Sequence, residues 1–279
     1  MTGAAPVRIP VMATLLLAFR FVWGDRQSFW YTAFLPVLVL AALDVALVAT
    51  MVETPEGPRP WFLVQVLSMV ANLLLETMFA VAWHRRWLVP DENVTYGTAL
   101  KWDSRKSRFL MRLVGIFLCV FAVALPLSMI MGAMGFGVRP DAAPRPEDLI
   151  AALILMAVSI VIVARLYVLL PAAAVDDQLT FVQAWQLTRR NTWRMILVVV
   201  VPAALLMLCV LIVHLVLEAV FGAVGLSQSL VATFVLGFLV YTTGFFFIAV
   251  GVSALSIAYQ HLKEVHGAGA LQEIPEQRD

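Results

Sequence analysis

Gln65, Ser68, Asn72 and Glu76 recur at spacings of three, four and four inside an otherwise apolar stretch. Wound as a helix they form one polar stripe. A charged group at the centre of a membrane helix costs about 2.5–3.5 kcal/mol on insertion scales, so such groups are the first places to look for function. The stripe is expected to face the interior of a helix bundle or a water-filled cavity, because lipid cannot satisfy it. Two chemistries fit. One is a lined path for a polar solute or proton ending at Glu76; the other is interhelical hydrogen bonding that sets packing, with Glu76 paired to a cation. Arg165, six residues before Pro171, lies at a depth comparable with Glu76, eight residues before His84, and Arg112 is similarly placed. Both are expected as ion-pair partners, although either side chain is long enough to snorkel to the headgroups.

A second constellation is His214 and Glu218, four residues apart, with Asp44 in an earlier apolar stretch. Converging, the three would suit a metal or a proton relay; hydrated residues near an interface are the plainer reading, and neither a metal site nor a cofactor is expected. Cys119 and Cys209 stand alone in separate apolar runs, which fits neither a disulfide framework nor zinc. The chain carries no Walker loop, dinucleotide fingerprint, Cys pair or nucleophile elbow, so no catalytic residues are assigned. Gly237, Gly244 and Gly251, with Ala258, recur every seven residues and predict a groove for close helix packing, within the chain or between two copies.

These residues sit in an unusual background. Hydrophobic residues make up 62% of the 279 and charged residues only 13%, with a mean hydropathy of +0.92. That excludes a soluble globule, a disordered chain and a nucleic-acid binder. Spanning a bilayer takes roughly 20 apolar residues as a helix, and six stretches qualify: 29–51, 61–83, 109–134, 149–170, 193–221 and 230–259. The expected fold class is an all-α integral membrane protein of six transmembrane helices. Pro36, Pro126 and Pro202 each fall inside a span, where neighbouring helices can satisfy the freed carbonyl. With six spans, one side of the membrane collects 16 of the 19 Lys and Arg, leaving only Arg59, Arg139 and Arg145 opposite. The positive-inside rule then places both termini in the cytoplasm. Arg8 precedes an apolar run with no small-residue cleavage site after it, so the start reads as retained. The Asn93-Val94-Thr95 sequon falls on the cytoplasmic side and is discounted as a glycosylation signal.

The odd-numbered spans share an entry pattern: Arg26-Gln27-Ser28-Phe29, Lys106-Ser107-Arg108-Phe109 and Arg190-Asn191-Thr192-Trp193, offset by 80 and 84 residues. The chain therefore reads as three tandem units, about 11–83, 95–170 and 180–259, each an interfacial amphipathic helix followed by a transmembrane hairpin. They make a single membrane domain, 1–265, followed by a polar tail, 266–279, expected to be disordered. In the third unit Thr180 and Gln183 have capping-box spacing, and Asp176 and Asp177 would favour the helix N-terminus. Winding the helix puts Phe181, Ala184, Trp185 and Thr188 on one face and Gln183, Gln186 and Arg190 on the other, predicting a helix that lies apolar face down with Arg189, Arg190 and Arg194 towards anionic headgroups.

The third unit also carries a resemblance. Arg165-Leu166-Tyr167 through Leu170-Pro171, then Ala184-Trp185-Gln186-Leu187-Thr188-Arg189-Arg190-Asn191-Thr192-Trp193-Arg194, resembles the signature of the six-span membrane domain of some bacterial glycerophosphodiester phosphodiesterases. It is also similar to free-standing inner-membrane proteins of the YciC-like type. The resemblance implies a bacterial inner-membrane setting. Phosphodiesterases of that kind use a separate metal-binding barrel, whose His-Arg-Gly start has its nearest counterpart at His84-Arg85-Arg86, without the Gly or the acidic partners; no such activity is expected. The expected function is non-enzymatic interaction with anionic phospholipids or a membrane partner. A small transporter or channel using the polar stripe, and an accessory subunit of a larger complex or a homo-oligomer, are the alternatives.

Overall fold

A computed structural model describes residues 8–52, 61–92, 95–136, 145–226 and 229–272, and all regular structure among them is helical. In chain order the helices are α1 Val11–Gly24, α2 Arg26–Val52, α3 Trp61–Leu88, α4 Tyr96–Leu100, α5 Ser104–Ala133, α6 Pro146–Leu166, α7 Leu169–Ala174, α8 Phe181–Thr188, α9 Thr192–Ala223 and α10 Leu230–Gln272. Six segments are long and apolar enough to cross a membrane: Arg26–Thr50, Phe62–Leu88, Ser104–Ala133, Pro146–Ala174, Phe181–Ala223 and Leu230–Glu264. The chain is a multi-pass membrane protein. Apolar side chains as large as Met207 (75% exposed) and Leu63 (68%) cover its flanks, a lipid-facing surface no soluble monomer carries at this scale.

Helix starts follow local chemistry. The Thr180 hydroxyl accepts from the Gln183 amide at 3.3 Å while Gln183 Oε1 accepts from the Thr180 amide at 2.9 Å, closing the expected capping box of α8. Asp103 caps α5 by accepting from the Lys106 amide at 3.0 Å. That cap starts α5 early, so Lys106-Ser107-Arg108-Phe109 lies inside the helix, whereas Arg26-Gln27-Ser28-Phe29 opens α2. Pro36, Pro126 and Pro202 sit within α2, α5 and α9. The last helix runs on through Gln272, so 266–272 of the expected tail continue it, and 273–279 lie outside the described residues.

Around the bundle α2 packs on α3, α3 on α5, α5 on α6, α6 on α9 and α9 on α10, and α10 returns to α2 while also touching α3 and α1. Burial is concentrated at the end holding α7 and the α3–α5 connection. There Phe79–His84, Leu169–Ala174 and α10 from Phe245 to Leu262 form the middle of the core, with Leu15, Ala18 and Val22 of α1 and Phe29, Ala33 and Val37 of α2 packed in beside them. Beyond Ile116 in α5 and Pro202 in α9, and before Thr77 in α3, those three helices bury no described residue. Towards that end α3, α5 and α9 are splayed and left open, while α2 and α10 stay in contact at Gly237, and Asp148, Ala151 and Ala232 are buried.

The packed end is tied through α3 and α10. Trp83, wholly buried, stacks on Phe79 and donates from Nε1 to Ser253 Oγ at 2.9 Å. His84 Nδ1 lies 2.7 Å from Ser256 Oγ. Lys106, only 2% exposed, donates to the carbonyls of Thr98 (3.1 Å) and Lys101 and so closes the C-terminus of α4. Lys106→Met strands both carbonyls at a cost of roughly 1–3 kcal/mol. Its thermal midpoint in detergent should fall clearly below wild type; an unchanged midpoint would show that α4 needs no cap.

Candidate functional site

The polar stripe is real only at its lower end. Asn72 Nδ2 donates to Glu76 Oε1 at 3.1 Å, Ser68 is half-buried with its hydroxyl unpartnered, and Gln65 is exposed on the splayed part of α3. Gln65 therefore does not face the bundle interior: the neighbouring helices have diverged at its level.

The expected cation does not reach Glu76. Arg165 donates from Nη2 to the Trp185 carbonyl, and its guanidinium lies 3.7 Å from the centre of the Trp185 ring, which fastens α6 to α8. Arg112 donates to the carbonyls of Leu169 (3.0 Å) and Asp177 (2.9 Å), capping the ends of α7. Among the described residues no Lys, Arg or His makes an ion pair with Glu76. Unsatisfied backbone carbonyls near α7 outcompete a carboxylate that lies on a different helix face.

Glu76 instead borders a cavity of about 300 Å³ between α3, α5, α7, α9 and α10, lined mostly by apolar side chains. Its polar wall is Glu76, Thr77, His84 and Tyr167. Thr77 and His84 are 2% and 0% exposed, and the Thr77 hydroxyl and His84 Nε2 have no hydrogen-bond partner. Neither was assigned to the site from the sequence, although Thr77 adjoins Glu76 and His84 lies about two turns beyond it on α3.

The remaining predicted positions separate. His214 Nε2 and Glu218 Oε2 are 3.6 Å apart on the exposed flank of α9, whereas Asp44 Oδ1 accepts from the Tyr241 hydroxyl at 3.1 Å. They do not converge, and among the described residues no three His, Cys, Asp or Glu gather closely enough to hold a metal ion. The glycine groove divides as well. A Cβ at Gly237 would lie 3.2 Å from Asp44 Oδ2 and 3.5 Å from Ala41 Cα, so α2 and α10 approach closely there. Gly244 meets nothing within 4 Å, and Gly251 faces Pro202 of α9. On α8, Ala184, Leu187 and Thr188 are buried; Phe181 and Trp185 stay partly exposed, with Phe181 filling the space left by Gly115.

Asp176 and Asp177 do not sit on the α8 N-terminus; they join helices. Asp176, in the left-handed region at φ 62°, which Asp tolerates better than most residues, accepts from Arg105 Nε at 2.6 Å and from Arg108. Asp177 accepts from Lys263 Nζ at 2.7 Å and from the Tyr259 hydroxyl. Desolvation opposes ionisation of Asp176, but the Arg105 hydrogen bond and the charges of Arg105, Arg108 and Arg85 outweigh it and hold the carboxyl below its ordinary value of 3.8. Desolvation of Asp177 is likewise outweighed, by Lys263, Tyr259 and Arg112. A depressed value stabilises the fold above the unfolded pKa and withdraws that stability as pH falls through the folded one. Thermal midpoints should therefore drop as pH falls below the ordinary carboxylate value of 3.8, and less steeply in Asp176→Asn; equal slopes would remove Asp176 from the acid response.

The basic side chains fall into two groups. Arg85 pairs with Glu92, Arg86 with Asp25 at 2.7 Å, and Arg105, Arg108 and Lys263 with Asp176 and Asp177. Arg8, Arg20, Arg26, Arg189 and Arg190 are exposed, Arg194 is half-buried, and none of the six makes an ion pair with a described residue. The Ile9 amide donates to Asn191 Oδ1 at 3.2 Å, setting the chain at Arg8 beside Arg190. No family model matches this chain, and no curated protein or solved structure matches it either.

Proposed function

We propose that this chain is a non-enzymatic protein of a bacterial inner membrane whose arginine-bearing face engages anionic phospholipid headgroups. The sorting of its basic side chains carries the reading. Positive-inside charge alone would scatter Lys and Arg over the cytoplasmic loops without regard to their partners. Here the facing ends of α3 and α5 spend Arg85, Arg86, Arg105 and Arg108 on internal carboxylates, while the arginines along α1 and the α8–α9 junction make no ion pair with a described residue. Trp23 (70% exposed) and Trp193 (71%) stand beside them, as interfacial anchors do. Unpaired guanidinium groups next to exposed indoles suit a phosphate layer above an acyl layer.

In this reading both termini are cytoplasmic, and α1, α4 and α8 are the interfacial leads of three tandem units. The placement of a short helix ahead of each of α2, α5 and α9 supports it. The resemblance to the membrane domain of phosphodiesterases and to the YciC-like proteins fits the same setting. The test is the lipid that stays bound after mild extraction from a mixed bilayer: phosphatidylglycerol and cardiolipin should be enriched over phosphatidylethanolamine. Retention in proportion to the bulk membrane would end the headgroup reading, and a co-purifying subunit would redirect it to a protein partner.

A further inference from the structure

The cavity at Glu76 uses none of the arginines of the headgroup face. Its polar wall holds a carboxylate and no Lys or Arg. Ser256 Oγ has a single proton, and it lies 2.9 Å from the Val252 carbonyl, which can only accept. The contact between Ser256 Oγ and His84 Nδ1, 2.7 Å long, then forms only if Nδ1 donates. In a neutral imidazole the other nitrogen is an acceptor, so His84 Nε2 carries an unpartnered lone pair, closed off inside the packing behind the cavity wall. About two turns away on α3 lie Thr77, with its hydroxyl unpartnered, and Glu76, whose Oε1 takes a hydrogen bond from Asn72. Pro202, also on the wall, lacks the amide that would bond the Val198 carbonyl one turn back. The cavity wall thus holds the Glu76 carboxylate and the Thr77 and Tyr167 hydroxyls, with no Lys or Arg among the residues that line it.

A half-buried carboxylate without a cation, in a wall that is otherwise mostly apolar, is a costly arrangement. A water molecule can satisfy an acceptor but cannot neutralise the carboxylate. About 300 Å³ is at the lower end of ligand-site volumes and far more than one water needs. The remaining wall is apolar: Leu113, Val199, Leu206 and Ile248. Its outer rim, at Leu73 and Ala203, belongs to the splayed half where α3 and α9 bury nothing. Access is therefore from the bilayer.

We propose that this cavity binds a lipophilic ammonium, its charged nitrogen at Glu76 and its apolar body along Leu113, Val199 and Ile248. The ammonium supplies both the opposite charge and the donors that Glu76 lacks. A fatty alcohol supplies only a donor, and a fatty acid supplies like charge. Phosphatidylethanolamine carries an ammonium, but its phosphate would enter beside the Glu76 carboxylate with no Lys or Arg to meet it.

The experiment is photolabelling of the whole protein in phosphatidylcholine nanodiscs with an alkylamine bearing a diazirine on its chain, read by peptide mass spectrometry. Saturable labelling of α3, α9 and α10 at the cavity is expected. Unlabelled dodecylamine should compete; dodecanol, dodecanoate and phosphatidylethanolamine should not. Glu76→Gln should weaken labelling by roughly ten- to a hundredfold, as expected when a hydrogen bond to a charged group is lost. If that variant does not fold, Gly251→Leu serves instead: a Cβ there meets only Pro202 Cβ, at 3.9 Å, and the rest of the side chain occupies the cavity and should abolish labelling. Equal competition by the alcohol or the phospholipid, or undiminished labelling of a folded Glu76→Gln or Gly251→Leu protein, would overturn the assignment. None of these outcomes bears on retention of anionic lipid by the arginine face.

Discussion

Replacing Arg189, Arg190 and Arg194 together by Gln lowers the enrichment of anionic lipid around the protein by about two orders of magnitude in the site's affinity. Each basic residue near an anionic surface is worth about 1 kcal/mol, and three independent contributions approach 3 kcal/mol, where 1.4 kcal/mol is tenfold. The fold should tolerate the change, because none of the three makes an ion pair with a described residue. Salt reports the same physics. The enrichment should fall as ionic strength rises and the Debye length shrinks from about 10 Å at 0.1 M towards 3 Å at 1 M. The control is Arg86→Gln with Arg108→Gln, which removes cations already committed to Asp25 and Asp176. It should disturb stability more than lipid retention. If both variants lose anionic lipid equally, net charge accounts for the effect and the α8–α9 face has no special part in it.

Trp83→Ala produces the largest expected loss of stability. The indole is wholly buried, stacks on Phe79 with centroids 5.8 Å apart and meets Phe21 and Phe29 edge-on. Large-to-small changes of aromatic residues in soluble cores cost about 3–5 kcal/mol. In a bilayer the separated helices stay in hydrocarbon, so the transfer share shrinks and the lost packing and hydrogen bond dominate; about 2–4 kcal/mol is the better expectation. Trp83→Phe keeps most of the ring contact and loses only the donor to Ser253, at roughly 0.6–1.7 kcal/mol. Unfolding in mixed micelles should rank wild type above Phe above Ala. An Ala variant within about 0.5 kcal/mol of wild type would mean that α3 and α10 are held together by other contacts.

The contrast between Glu76 and Arg165 shows where reading by residue stops. Their depths match in sequence, and depth is what hydropathy and helical rise provide. Which way a guanidinium turns depends on competitors, and the Trp185 carbonyl and ring lie nearer on α8. Arg112 was similarly claimed by the carbonyls around α7. The break between α6 and α7, next to the Leu169 carbonyl that Arg112 reaches, lies within an apolar stretch that carries no loop signal. Asp176 and Asp177 were legible as acidic residues near a helix start, but their partners lie 68 to 86 residues away. Gly237 and Gly244 share a face of α10, yet only Gly237 meets a backbone, since the approach depends on where α2 crosses.

Hydropathy by itself determined the helical class, the six apolar segments and their approximate limits, because burying a backbone in hydrocarbon leaves the helix as the local solution and needs no knowledge of neighbours. The α8 capping box was equally local, set by two side chains three residues apart. Tertiary structure alone decided that the bundle closes at one end and that α3, α5 and α9 splay at the other. It also paired Trp83 and His84 of α3 with Ser253 and Ser256 of α10 across 170 and 172 residues. Packing fits the shapes of whole helices against one another, so the cavity left where that fit fails is a property of the assembly and of no single segment.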